Sequence, residues 1–372
     1  MEARDYMLRA IELAKRGAGF TAPNPMVGAV IVKDGRIIGE GWHRKCGELH
    51  AERNAIASLT ENAHGADIYV TLEPCCHYGR TPPCTEAIVE SGISRVFIGS
   101  RDPNPLVSGK GAEYLRAHGI EVREDFMRDE CDRLNGIFFH YITTKTPFTA
   151  IKYAMTADGK TAAYTGLSKW ITGETAREHV HALRGLYSAV LAGIGTVLAD
   201  DPMLNCRLEG AHQPLRVIAD SRLRIPLRSR LCQSAKDFPL MIACIVDDPE
   251  KTAALTALGA EVCRLPCDGT GHLSLAALMK ELADRQISSV ISEGGAGINE
   301  ALVREGLVNH IYAYIAPKLL GGREALSPIG GRGADRPDNA ALLSAPEITR
   351  LGNDILLEYK VERGYGDVHG NS

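Results

Sequence analysis

No stretch of this 372-residue chain approaches the roughly 20 consecutive apolar residues that a bilayer span requires, so a membrane-spanning protein is not expected. An excess of charge of one sign is missing too. The 42 lysines and arginines stand against 46 aspartates and glutamates, a formal net charge of −4. That balance lacks the broad positive field with which proteins hold nucleic acid, which makes a polynucleotide a poor first choice of partner. A small anion held by a few local arginines stays open. The first residues, MEARDYMLRAIELAKRG, form an amphipathic helix with acids early and bases late, without the apolar stretch of a secretory leader. Ten cysteines scattered over a long chain of this kind do not make a disulfide scaffold. A reducing cytoplasm is the expected compartment, and three of the ten cysteines call for a separate explanation.

What is present is the composition of an ordinary globular protein, 45% apolar and 24% charged, on a chain long enough to expect two domains. The first half alternates strand and helix signals. Val27 to Lys33 enters the turn Asp34-Gly35 as a strand-and-hairpin signal, and Asp67 to Leu72 and Ser94 to Gly99 are short β-branched runs. Helices are expected over His50 to Leu59, Thr85 to Ser91, Ala112 to His118 and Phe126 to Tyr141. The pattern predicts an α/β layered domain with a mixed or mostly parallel sheet. The segment TTKTP places the boundary, giving domains 1–145 and 146–372. The second half repeats the alternation without repeating the sequence, with strands expected over 148–153, 188–194, 215–220, 239–246, 288–292, 310–316 and 354–361. Gly321 to Asn339 is the candidate for a long mobile loop, and the tail GYGDVHGNS is expected to fray.

Chemistry is most legible around His50-Ala51-Glu52. Pro74-Cys75 follows the strand ending TLE, and Cys84 comes nine positions later at the start of another helix. One imidazole and two thiolates suit Zn²⁺, and helix N-termini favour thiolate over thiol. Three protein ligands leave a fourth position for water, whose pKa zinc lowers to near 7. Glu52, two residues from a ligand, is placed to take the proton of that water and return it to the ring nitrogen and leaving amine. H-x-E paired with P-C-x-x-C is the nucleobase-deaminase signature. Here eight residues, not two, separate the cysteines. The competing readings are a closed structural zinc site completed by Cys76 or His77, and a buried His and cysteines with no metal. Asn24, in the turn Pro23-Asn24-Pro25, is a hydrogen-bond partner for the substrate ring or simply a turn residue.

The second half is less explicit. Glu293-Gly294-Gly295-Ala296-Gly297 and Gly193-Ile194-Gly195-Thr196 each follow an apolar strand. Glycines at strand-to-helix turns let backbone N–H groups approach a phosphate. Two such places in one domain suggest a crevice for an extended phosphate-bearing cofactor, although neither is a G-x-G-x-x-G pattern and tight turns alone would explain them.

The runs PNPMVGAVIV, GEGWHRKCGELHAE and TLEPCCHYGRTPPC together resemble the bifunctional riboflavin-biosynthesis deaminase–reductase family, including its long gap between zinc cysteines. IKYAMTADGKTA, SKWITG, GIGTVLADDPMLNCR, SEGGAGINEAL and YIAPKLLGG resemble the reductase half, so the likeness runs from about Arg4 to about Val361. Cys76 departs from the serine frequent in relatives at that place. The resemblance implies an N-terminal cytidine-deaminase-like zinc domain and a C-terminal dihydrofolate-reductase-like α/β domain. It implies hydrolytic deamination of 2,5-diamino-6-ribosylamino-4(3H)-pyrimidinone 5′-phosphate, then NADPH-dependent reduction of the ribosyl group to ribityl. His50, Cys75 and Cys84 would bind zinc and Glu52 would shuttle protons. NADPH contacts would come from Ala154, Trp170, Thr196, Asp200, Ser221 and Gly295, Ala296, Gly297, Ile298, Asn299, Glu300 and Ala301. Substrate contacts would come from Ser168, Arg184, Leu204, Arg207 and Glu293, the arginines serving the phosphate. Lys152 and Asp200 are candidates for protonating or polarising the sugar oxygen. The family also implies a homo-oligomer built through the reductase half. A polynucleotide deaminase and a non-catalytic zinc-stapled binding protein are the alternatives.

Overall fold

The apolar runs of the first half become the strands of one five-stranded sheet. The structure is a computed structural model and describes residues 2–78, 82–104 and 107–364. Contacts divide the chain into two compact units, Met1–Lys145 and Thr146–Ser372.

In the first unit the strands are β1 (Gly28–Lys33), β2 (Arg36–Trp42), β3 (Asp67–Leu72), β4 (Arg95–Ser100) and β5 (Glu121–Arg123). Their order is β2-β1-β3-β4-β5, antiparallel at β2-β1-β3 and parallel from β3 to β5. The helices are α1 (Ala3–Lys15), α2 (Ala51–Ala57), α3 (Cys84–Glu90), α4 (Lys110–Ala117), α5 (Arg128–Leu134) and α6 (Gly136–Thr144). Side chains alternate across each strand. Val30, Val32, Tyr69 and Phe97 meet α1, while Ala29, Ile31, Ile68 and Ile98 share a core with Ala51, Ala55, Ile88 and Leu115. Gly41 lets α2 lie directly on β2: a β-carbon there would stand 2.2 Å from the Ala55 nitrogen. That close approach sets where His50 and Glu52 emerge.

The single helix expected over Phe126 to Tyr141 is corrected to two, α5 and α6, broken at Asn135. The Asn135 side chain leaves helical duty to clamp a distant loop, accepting from Met26 N at 2.8 Å and donating to Met26 O at 2.9 Å. Asn competes readily with helix in this way.

The second unit is built on a ten-stranded sheet. Its strands are β6 (Phe148–Thr156), β7 (Ala189–Gly193), β8 (Leu215–Ala219), β9 (Leu240–Cys244), β10 (Glu261–Arg264), β11 (Ser289–Ser292), β12 (His310–Ala316), β13 (Leu342–Leu343), β14 (Glu347–Leu351) and β15 (Asp354–Arg363). The order is β10-β9-β8-β7-β11-β6-β12-β15-β13, with β14 also on β15. Pairing is parallel from β10 to β12 and antiparallel around β15. The helices are α7 (Glu174–Leu186), α8 (Ile194–Asp200), α9 (Arg230–Gln233), α10 (Pro249–Ala257), α11 (Leu275–Asp284) and α12 (Ala296–Arg304). The chain steps outward from β7 to β10 and returns as β11, between β7 and β6. Strand order reverses there, and the carboxyl ends of strands beside such a reversal are where open α/β sheets bind ligands.

The segment 321–339, expected to be mobile, is irregular apart from a turn of 3₁₀ helix at Pro337–Asn339. It is nonetheless tied down. Asp158 accepts from Gly321 N at 2.7 Å, Asn299 donates to Pro328 O at 3.0 Å and Gly330 N donates to Ala296 O at 3.0 Å. Of the tail expected to fray, residues 365–372 lie outside the described residues.

Candidate active sites

Three chain segments converge at the first site. His50 is the extended N-cap of α2, Cys75 follows β3, and Cys84 is the first residue of α3. His50 Nδ1 lies 3.5 Å from Cys75 Sγ and 3.4 Å from Cys84 Sγ, and the three ligand atoms all fall within 4.8 Å of one another. A tetrahedral zinc with bonds of about 2.0–2.3 Å sets its ligand atoms roughly 3.6 Å apart, so this donor set fits the ion. Among the described residues no fourth histidine, cysteine or carboxylate joins the cluster, Cys76 and His77 included.

Cys75 is held as a thiolate. Hydrogen bonds from Cys84 and His50 pull its pKa down to about 4, against the opposing effect of burial. The Cys84 thiol, which shares that bond and is buried, is pushed up. Glu52 lies in the first turn of α2, 3% exposed, and bonds to Cys84. Burial, then the Cys75 thiolate, raises its carboxyl above the ordinary range.

Three residues that sequence reasoning missed complete this site. His43 is buried at the end of β2, its ring centroid 5.4 Å from that of His50. Its Nδ1 is 3.1 Å from Leu49 O and its Nε2 is 3.3 Å from Asn24 Nδ2. A carbonyl can only accept and an amide nitrogen can only donate, so the imidazole carries its proton on Nδ1. Burial lowers its pKa, which keeps it neutral. Asn24 is thereby oriented beside the site. Glu73 accepts from Gly109, Gly111 and Ala112 N–H groups at 3.0, 2.9 and 3.3 Å, capping α4 and anchoring the strand end that carries Cys75. Asp102 is buried, and desolvation raises its pKa to about 6 despite a hydrogen bond from Asn104 N. The one sequence signal for Glu73 was its place beside Pro74-Cys75. His43 and Asp102 had none.

The second unit holds two cavities, of about 640 and 620 Å³, that share Thr196 and Gly295. Ala154, Ser168, Trp170, Arg184, Asp200, Leu204, Arg207, Glu293, Ala296 and Asn299 line the larger, as does Lys152. Ser221, Gly297, Ile298, Glu300 and Ala301 line the other. Gly295 has φ +56°, and Gly195 and Gly297 have nothing within 4 Å of where a β-carbon would stand. That leaves backbone exposed to a ligand, and the joined cavities suit an extended dinucleotide.

Not every predicted residue is free for a ligand. Asn299 is 3% exposed, and its side chain is committed to Ser292 and Pro328. Arg184 donates to both Glu293 oxygens, at 2.6 and 2.9 Å, and to Asn205 O at 3.1 Å. Lys152 Nζ stands 3.6 Å from the same carboxylate. Burial alone would raise the Glu293 pKa, but Arg184 and Lys152 bring it down to about 2. Burial lowers that of Lys152. Ser168 donates to Asp200 at 3.0 Å. Trp170 is no core residue: it is 63% exposed, with Arg177 stacked 4.6 Å from its ring centre.

A histidine–dithiolate cluster beside a buried glutamate, and a nicotinamide-sized crevice at the switch point of a second sheet, define a zinc deaminase joined to a reductase. The comparisons agree. Residues 1–100 match the cytidine and deoxycytidylate deaminase zinc-binding region, and residues 147–357 match the RibD C-terminal domain. The chain is 52% identical over 358 residues to the riboflavin biosynthesis protein RibD of Actinobacillus pleuropneumoniae, covering 96% of this chain and 95% of that one. It is 44% identical to that of Bacillus amyloliquefaciens, covering 95% and 94%. Among solved structures it resembles a diaminohydroxyphosphoribosylaminopyrimidine deaminase/5-amino-6-(5-phosphoribosylamino)uracil reductase from Thermotoga maritima. The TM-score is 0.84 at 40% identity, covering 96% and 98% of the two chains.

The chain belongs to the RibD family of bifunctional riboflavin-biosynthesis enzymes. It is a hydrolase and an oxidoreductase acting on small phosphorylated pyrimidines, with zinc and NADPH as cofactors. Among the described residues no helix is long and apolar enough to cross a membrane.

Proposed function

We propose that residues 1–145 deaminate 2,5-diamino-6-ribosylamino-4(3H)-pyrimidinone 5′-phosphate and that residues 146–372 reduce the ribosyl group of the product to ribityl. The observation that carries the first half is the open cluster of His50, Cys75 and Cys84 beside buried Glu52. Bound zinc supplies a Lewis acid that makes water a nucleophile at neutral pH. Glu52 moves the protons. It takes one proton from the attacking water and gives it to the ring nitrogen as the oxygen bonds to the ring carbon. It then passes the remaining hydroxyl proton to the amine as the carbon–nitrogen bond breaks, leaving the carbonyl and releasing ammonia. Its burial keeps that proton from leaking to solvent. Asn24, oriented by His43, holds the ring.

In the second unit NADPH supplies the hydride. Glu293, held by Arg184 and Lys152, lies in the substrate cavity, and all three charged side chains are largely buried. We assign proton delivery at the sugar to Lys152, held in place by the ionised Glu293, rather than to Asp200. Asp200 is engaged with Ser168. Arg207 has no side-chain partner among the described residues, so it meets the substrate phosphate with its charge uncancelled.

The molecule works in the cytoplasm, binds neither nucleic acid nor membrane, and pairs with copies of itself through the reductase unit. Support for the pairing is β14, an outer strand with Ile348 68% exposed.

The test of two separate sites is Glu52→Gln. Deamination should fall by about 10²–10⁴-fold, while NADPH-dependent reduction of the deaminated substrate persists at its wild-type rate. Loss of both activities in a folded variant contradicts the assignment.

A further inference from the structure

The smaller cavity carries a charge pattern that the reaction as derived leaves unused. After β8 the chain runs Asp220-Ser221-Arg222-Leu223-Arg224-Ile225. Asp220 ties this turn, accepting from Ile225 N at 2.7 Å through its carboxylate and from Leu223 N at 3.0 Å through its carbonyl. Ser221 Oγ accepts from Leu273 N at 3.0 Å, fastening it to the opposite wall. Leu223 and Ile225 are buried, at 2% and 0% exposure, and Leu223 has φ +49°. A leucine in the left-handed region is unfavourable, and such strain collects at ligand sites. Its effect here is to present both flanking arginines, which are exposed and line the cavity.

Neither guanidinium has a hydrogen-bond or ion-pair partner among the described residues. The remaining charged groups around the cavity are engaged. Arg304 pairs with Glu300 at 3.3 Å and Glu305 at 3.6 Å. Asp268 is occupied by the Thr270 hydroxyl and by the Thr270 and His272 N–H groups at 2.8, 2.8 and 3.2 Å. The cavity therefore offers two guanidinium forks that have no hydrogen-bond or ion-pair partner among the described residues, the kind of group that binds a phosphate monoester bidentately.

We propose that Arg222 and Arg224 bind the extra phosphate on the adenosine ribose of the cofactor and so set the preference for NADPH over NADH. This rests on the reading that one dinucleotide spans both cavities, its reacting end near Lys152 and Glu293 and its far end past Thr196 and Gly295. NADH lacks that phosphate and gains nothing from the two arginines.

The test measures binding, not turnover. Calorimetric titration of the full-length protein with NADPH and with NADH compares wild type, Arg222→Gln, Arg224→Gln and the double variant. In the double variant the NADPH Kd should rise by about 10–100-fold, while the NADH Kd moves by less than about 3-fold. Retained NADH binding also shows that the variant is folded. Arg→Lys at either place keeps charge without the fork and should fall in between. The wild-type NADPH affinity should weaken with added salt, and the double variant should lose that dependence. A double variant that keeps the wild-type ratio of NADPH to NADH affinity overturns the proposal. So does a wild type that binds the two equally, and either result leaves the dinucleotide reading standing. Failure of wild type to bind either cofactor removes that reading and the proposal with it.

Discussion

Glu52 and Glu293 are both buried, and their neighbours send them in opposite directions. Burial, with the Cys75 thiolate adding to it, pushes Glu52 towards its protonated form. Between Arg184 and Lys152, Glu293 stays ionised, with a pKa of about 2. Because that value lies below the unfolded one, the Glu293 charge contributes stability above about pH 4.5, and the contribution is lost as pH falls towards 2. The size is on the order of 3 kcal/mol. Between about pH 5 and pH 3, the urea stability of wild type should therefore fall more steeply than that of Glu293→Gln, which lacks the titrating group. Equal slopes would contradict the buried triad. The family resemblance implied Arg184 as a phosphate ligand and Glu293 as a substrate contact. The sequence offered no sign that each is the other's partner, since 109 positions separate them.

At the level of elements, the deciding contacts are those that hold irregular segments against regular ones. Arg216 on β8 is fully buried and, among the described residues, pairs with no carboxylate. It donates to Met203 O at 3.1 Å, Ser234 Oγ at 2.8 Å and Phe238 O at 2.6 Å, with longer bonds to Leu231, Ser234 and Pro239 carbonyls. It thus fastens α9 and the loop that carries Leu204 and Arg207. Arg216→Met keeps the apolar bulk but strands several buried carbonyls, so we expect a loss of about 3 kcal/mol or more in denaturant unfolding. A loss within about 0.5 kcal/mol would show that the network is dispensable.

The strands at the middle of each sheet were readable in advance because burial on both faces demands continuous apolar runs, as in Asp67–Leu72 and His310–Ala316. β14, with the sequence EITRL and four of its five residues exposed, offers no such signal. The Asn135 break was equally hidden, since its cause is Met26, 109 positions away. The convergence of His50, Cys75 and Cys84 was legible because they sit at helix starts and beside a proline. His43, held by Asn24 and Leu49, was not, since neither its spacing nor its neighbours mark it as part of that cluster.

At the scale of the whole molecule, the exposed edge of the reductase unit makes self-association the expected state. Sedimentation at micromolar concentration should give a dimer or larger species, and Ile348→Asp should shift it towards monomer. A strict wild-type monomer would refute this. The three candidate ligands all lie within Met1–Lys145, which puts the proposed metal in the first unit. The central claim is that this metal is zinc held by one imidazole and two sulfurs, with a place left for water. X-ray absorption at the zinc edge of the purified protein tests it most directly. We predict one zinc per chain with two sulfur neighbours at about 2.3 Å and two nitrogen or oxygen neighbours at about 2.0–2.1 Å. A third sulfur, which would bring in Cys76, or a protein that carries no zinc, would contradict it.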